Sequence, residues 1–147
     1  MARLPGSVLF ACNYNSIRSP MAAAMLRRLH GQRIFVDSVG LRALPIDPFV
    51  VAVMEEMGID LASHRSKTFE ELEDGSFDLV ISLTPQAQHR AVELTRSTAC
   101  EVEFWPSHDP SAVEGSRAEI VAAYRALRDD LWRRIRERFP PGMQAQV

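Results

Sequence analysis

A cysteine and an arginine that enclose five residues, Cys12-Asn13-Tyr14-Asn15-Ser16-Ile17-Arg18, can do anion chemistry. A thiolate is a strong nucleophile, and an arginine presents a planar fork of donors to phosphate oxygens. Ser19-Pro20 follow directly. The spacing matters because of what flanks it. Ser7-Val8-Leu9-Phe10-Ala11 is short and apolar, as a buried strand is. Met21-Ala22-Ala23-Ala24-Met25-Leu26-Arg27-Arg28-Leu29 consists of strong helix formers. The loop 13–19 therefore sits between a strand's end and a helix's start. Backbone N–H groups there converge on an anion, and the helix dipole reinforces them and biases the cysteine toward its thiolate. The plain alternative is a small buried cysteine beside a surface arginine.

The rest of the chain must position that loop. At 147 residues, with 46% hydrophobic and 24% charged residues, it has the composition of one ordinary globular domain. We expect a core over about residues 6–139 and a loose tail over 140–147. The net charge of −2, with acids and bases interspersed, argues against nucleic acid or a membrane surface as partner. Two cysteines and four histidines without ligand spacing give no expectation of a disulfide framework, a metal site or a cofactor. Met1-Ala2-Arg3-Leu4-Pro5-Gly6 lacks the apolar length of a signal peptide, and no run is long enough for a membrane span. A reducing cytoplasm is the expected compartment, since a thiolate nucleophile needs one.

Further strands are expected over 33–39, stopped by Gly40, over 77–83, and over 100–105, ended by Pro106. Helices are expected from Pro48, capped by Asp47 and ending at Gly58, from Pro85, and from near Ser116, with a short capped turn at 68–72. In the last helix Ile120, Tyr124, Leu127, Leu131 and Ile135 recur at helical spacing, and Trp132 falls near that stripe. Strands that alternate with helices make an α/β fold with a parallel sheet covered on both faces. Its ligand belongs at the carboxyl ends of the strands, which is where the Cys12 loop lies.

His108-Asp109-Pro110 follows the last strand and can reach the same rim. A phosphomonoester leaves poorly unless its oxygen is protonated. Asp109 can supply that proton and then deprotonate an incoming water. Pro110 restricts Asp109 to an extended backbone. His108 either tunes Asp109 or faces solvent.

These pieces resemble the low-molecular-weight protein tyrosine phosphatase family, which includes thioredoxin-coupled arsenate reductases. The matching stretches are 8–12, Asn15, 18–22, 38–41, 64–66, 77–81, Trp105-Pro106 and Asp109-Pro110. The resemblance implies a three-layer α/β/α, flavodoxin-like fold with a four-stranded parallel sheet in the order 2-1-3-4. It implies Cys12 as nucleophile, Arg18 as phosphate clamp and Asp109 as general acid. Asn15 would hold the loop's shape, and Ser19 would donate to the Cys12 sulfur. No cofactor or metal is implied. The expected substrate is a phosphotyrosine protein or a small phosphoester, with inorganic phosphate as product.

Ser38 is read either as support beneath the loop or as a strand-end cap. Tyr14 and Trp105 are candidate cleft walls; Tyr14 is otherwise a surface loop residue, and Trp105 is half core. His64-Arg65-Ser66-Lys67 is read as a polar loop near the cleft, with phosphate binding as the alternative.

Four departures from the family pattern bear on function. Ile17 stands where the family usually has a second cysteine, so a protective disulfide with Cys12 is missing. Tyr14 stands where glycine is common. Ser111 follows Asp109-Pro110 where tyrosine is often found, which weakens the case for phosphotyrosine. The stretch 81–86 holds no relay cysteine of the kind arsenate reductases use, and only Cys100 remains. The leading expectation is a phosphomonoester hydrolase acting through a phosphocysteine. Arsenate reduction by Cys12 with an external thiol is the second, and a non-catalytic phosphate- or phosphopeptide-binding module the third.

Overall fold

The computed structural model describes residues 3–72, 75–96 and 98–145. Four strands form one parallel sheet: β1 (Ser7–Cys12), β2 (Phe35–Gly40), β3 (Leu79–Ser82) and β4 (Glu101–Phe104). Their spatial order is β2-β1-β3-β4, as expected. The helices are α1 (Arg18–His30), α2 (Pro48–Glu55), α3 (Pro85–Leu94) and α4 (Arg117–Arg138). None of the described helices is long and apolar enough to cross a membrane.

The two faces of β1 explain the layers. Side chains alternate along a strand, so Val8, Phe10 and Cys12 face one way while Leu9 and Ala11 face the other. The first set packs into a large core with α1, α2 and α4, including Met21, Met25, Val50, Tyr124, Leu127, Leu131 and Ile135. The second set packs under α3 with Val39, Val80, Phe69, Ala87 and Ala91. The apolar stripe of α4 is buried as its spacing predicts, except that Ile120 is only partly covered.

Helix starts follow local chemistry. Asp47 accepts from the Phe49 N–H at 2.8 Å, and Pro48 opens α2 at a position where its missing N–H costs nothing. Thr84 caps α3, while Ser116 and Glu119 form a capping box at α4. Gly58 ends the α2 segment at φ +75°, a conformation that glycine takes without strain.

Two boundaries differ from the sequence expectation. Gly40 does not stop β2 but is its last residue. A Cβ at Gly40 would lie 2.6 Å from the Asn15 nitrogen and 2.5 Å from the Arg42 carbonyl, so only glycine lets the neighbouring loop cross here. The tail is not wholly loose either. Gln144–Ala145 pairs in parallel with Arg3–Leu4, because backbone groups near both ends satisfy one another. Gln146 and Val147 lie outside the described residues.

Candidate active site

The cradle is built by turning carbonyls outward. Between β1 and α1, the carbonyls of Cys12, Asn13, Tyr14 and Ser16 accept from the N–H groups of Leu41, Arg42, Leu44 and Asp47 at 2.9–3.2 Å. The Asn15 carbonyl accepts from His64 Nε2 at 3.1 Å and from Ser66 Oγ at 2.8 Å. With the carbonyls tied down from behind, the N–H groups of Asn13–Ile17 find no acceptor among the described residues. They are left for an anion at the N-terminus of α1.

Asn15 is the hub. It is fully buried and sits at φ +53°, which asparagine tolerates better than most residues. Its amide donates to Ser19 Oγ at 2.8 Å and to Ser38 Oγ at 2.9 Å, and its Oδ1 accepts from the Lys67 N–H at 3.0 Å. Ser38 is thus placed beneath the loop. Ser19 Oγ lies 2.9 Å from Cys12 Sγ and 3.2 Å from the Val39 carbonyl. Because the Asn15 amide already donates to Ser19, the hydroxyl hydrogen remains for the sulfur or that carbonyl. A thiolate at Cys12 would take it.

Cys12, though only 2% exposed, lies at the floor of a cleft of about 520 Å³. Tyr14, Ser16, Ile17, Arg18, the segment 44–48, Asp109 and Ser111 line the rest. Arg18 donates to the Ser107 carbonyl at 3.1 Å, which ties the loop to the segment carrying Asp109. Asp109 has the extended backbone expected before Pro110, φ −97° and ψ 105°. Its Oδ1 accepts from the Ser111 N–H at 2.9 Å and hydroxyl at 2.6 Å, leaving Oδ2 without a partner among the described residues. One cleft thus joins a thiol, a guanidinium, inward N–H groups and a carboxyl, a set suited to attack on a tetrahedral oxyanion and protonation of its leaving group.

The structure places some expected residues elsewhere. Trp105 is not a wall of this cleft. Its ring meets Phe10 edge-on at 6.1 Å, and Nε1 donates to Glu103 at 3.1 Å. It borders a separate cavity with Phe104, Arg134 and Arg138, because it continues β4 with its side chain toward α4. The wall is supplied instead by Leu44, Pro45 and Ile46, an apolar segment that sequence reasoning did not find. Tyr14 does line the cleft and is 46% exposed. His108 is exposed and does not line it. His64 and Ser66 brace the loop from behind. Burial pushes the His64 imidazole below its ordinary range, against the opposing hydrogen bond to Asn15. Thr84 Oγ1 also braces the loop by donating to Asn13 Oδ1 at 2.8 Å, which sequence reasoning did not find.

Cys100 sits at the opposite end of the sheet. Glu101 is level with Leu79, and Leu79 with Val8, so Cys12 lies about 16 Å further along the strands and two strands away. A disulfide needs Cα atoms within about 7 Å. Cys100 therefore cannot pair with Cys12. Burial also raises its thiol pKa, away from reactivity.

A model of the Low molecular weight phosphotyrosine protein phosphatase family matches residues 7–139. The chain belongs to that family. Within it, the chain is 31% identical over 131 residues to an arsenate reductase of Halalkalibacterium halodurans, covering 88% of this chain and 91% of that one. An arsenate reductase solved in its phosphate-binding state superposes with a TM-score of 0.74 at 28% identity, covering 89% and 94%. YwlE arginine phosphatase from Geobacillus stearothermophilus does so at 0.74 and 26%, covering 89% and 88%. The family's enzymes thus include both phosphatases and arsenate reductases.

Proposed function

We propose that this chain is a phosphomonoester hydrolase that works through a phosphocysteine. The observation that carries the reading is Asp109, whose free Oδ2 belongs to the same cleft as Cys12 and Arg18. A phosphate-binding module gains nothing from a carboxyl beside a dianion, whereas a hydrolase needs one to protonate the leaving oxygen.

In this reading Cys12 Sγ attacks phosphorus in line, the P–O bond breaks, and the Asp109 proton passes to the departing oxygen. Asp109 then takes a proton from water, which attacks phosphorus, and the thiolate leaves toward the Ser19 hydroxyl. Arg18 and the inward N–H groups hold the equatorial oxygens where charge develops. The substrate is a phosphotyrosine protein or a small phosphoester, entering between Tyr14 and the 44–46 turn. A reducing compartment such as the cytoplasm keeps Cys12 competent.

A second reading, arsenate reduction, is favoured by the names of the relatives. Cys12 would attack arsenic to form a thiol–arsenate adduct. An external thiol would then attack the Cys12 sulfur, the S–As bonding pair would leave with arsenite, and a mixed disulfide would remain. Stretch 81–86 holds no cysteine and Cys100 lies out of reach, so the chain has no internal relay for that electron pair. This favours hydrolysis.

Turnover of para-nitrophenyl phosphate by wild type, Cys12→Ser and Asp109→Ala, beside arsenate-dependent oxidation of glutathione, separates the readings. Hydrolysis that vanishes in Cys12→Ser and falls roughly 10²- to 10⁴-fold in Asp109→Ala supports the proposal. Thiol oxidation without hydrolysis establishes the second reading instead. Reduced wild type active in neither assay leaves a binding module.

A further inference from the structure

We propose that Tyr124 is a positioning residue for the general acid: through Asp47 it fixes the span between the phosphate loop and the loop carrying Asp109. The inference rests on the hydrolase reading above. The two loops leave different strands, β1 and β4, so the sheet alone does not set their separation to catalytic tolerance. Behind the cleft both loops are tied to the end of β3, where the Leu83 carbonyl accepts from the Ser107 N–H and Thr84 donates to Asn13. Across the cleft itself, two links join them among the described residues. One is the Arg18 bond to Ser107, but Arg18 must turn part of its donor fork to a bound phosphate. The other involves no group that contacts phosphate.

That second link runs through Asp47. Its backbone N–H donates to the Ser16 carbonyl at 3.1 Å, its Oδ1 caps α2, and its Oδ2 accepts from the Tyr124 hydroxyl at 2.7 Å. Tyr124 lies on α4, which packs against the turn Pro110–Ala112 that Asp109 opens. Its ring also packs on Phe49 at 5.1 Å. Phe49 and Asp47 are therefore held by α4 on one side and by the phosphate loop on the other. Tyr124 is 2% exposed, so phenylalanine would fill the site as well and avoid the cost of burying a hydroxyl. Burial first, then Asp47, then the charge of Asp109 push its ionisation far above the ordinary tyrosine range. The hydroxyl is a permanent donor.

A displacement of about 1 Å at a reacting group can cost 10²-fold. Loss of the joint should shift Asp109 and leave the cradle intact. The signature is selective. Poor leaving groups need the Asp109 proton and slow down, good ones do not, and phosphate binding is unchanged.

The test measures kcat/KM, which reports P–O cleavage, for phenyl phosphate and for 2,4-dinitrophenyl phosphate, with inorganic phosphate as competitive inhibitor. The variants are Tyr124→Phe, Asp47→Ser and the double. Serine keeps a cap on α2 but is too short to reach Tyr124, and it guards against one variant failing to fold. We expect each single variant to lose about tenfold on phenyl phosphate. In Tyr124→Phe, which removes no group that lines the cleft, the loss on the dinitrophenyl ester should stay under about twofold and the phosphate inhibition constant should hold. The double should lose no more on phenyl phosphate than either single, as members of one joint do. Equal losses on both esters, no loss, or additive losses in the double overturn the inference while wild-type hydrolysis stands. Wild type that cleaves neither ester overturns the hydrolase reading itself.

Discussion

Arg18 reaches across the cleft to the carbonyl of Ser107, 3.1 Å away. On the proposed hydrolase reading, the side chain that clamps phosphate thereby also holds the segment that carries Asp109. Lysine carries the charge but has neither the planar fork nor the geometry to make both sets of bonds. Arg18→Lys should lower kcat by roughly 10²- to 10³-fold and weaken inhibition by inorganic phosphate. Steady-state kinetics with phosphate titration checks both; near-normal kcat would show that charge alone suffices.

Gly40 predicts a steric effect that travels to the loop. Any Cβ there meets the Asn15 nitrogen and the Arg42 carbonyl, both backbone and unable to swing away. Gly40→Ala should destabilise the fold by about 1–3 kcal/mol and displace the cradle, so that kcat/KM falls further than the change in folded fraction explains. Urea unfolding together with kinetics on folded protein would resolve the two.

His64 gives a pH prediction with a definite sign. Burial holds its imidazole below the ordinary value of 6.5, so just below that pH the unfolded chain binds a proton that the folded protein resists. Stability is unaffected above about 6.5, falls as the pH drops through that value, and stops falling below the folded-state value. In His64→Gln, whose amide can still donate to the Asn15 carbonyl, that part of the slope should disappear. Urea midpoints between pH 5 and 8 for both proteins measure it, and identical slopes would refute it.

Ile17 and the distance to Cys100 set the response to peroxide. A sulfenic acid on Cys12 has no thiol within reach to close a disulfide, so excess peroxide should drive it on to the sulfinic acid. Dithiothreitol should then fail to restore activity. Ile17→Cys, which places a thiol directly before Arg18, should make most of the loss reversible. Mass spectrometry of Cys12 beside the activity assay gives the answer. Full recovery of the wild type would contradict the argument.

Local patterns carried much of this protein. Strands alternating with helix-forming runs, the cap at Asp47, the start of α4 near Ser116 and the α4 stripe are short-range physics that neighbouring residues decide. That Cys12, Arg18 and Asp109 meet in one cleft was legible, because the segments that carry them follow the carboxyl ends of strands. The outer shell was not. Nothing in the order of residues says that Lys67, His64 and Ser66 close on Asn15, since those bonds span about fifty positions. Trp105 was misplaced because its N–H still donates to the Ser82 carbonyl of the neighbouring strand, so its side chain keeps the face of Glu103 and packs on Phe10 instead of turning into the cleft. Register alone separated Cys100 from Cys12, and only the packing of α4 over α2 brought Tyr124 to Asp47. Residue chemistry and local propensity are written along the chain, but distances between segments exist only once the core has closed around them.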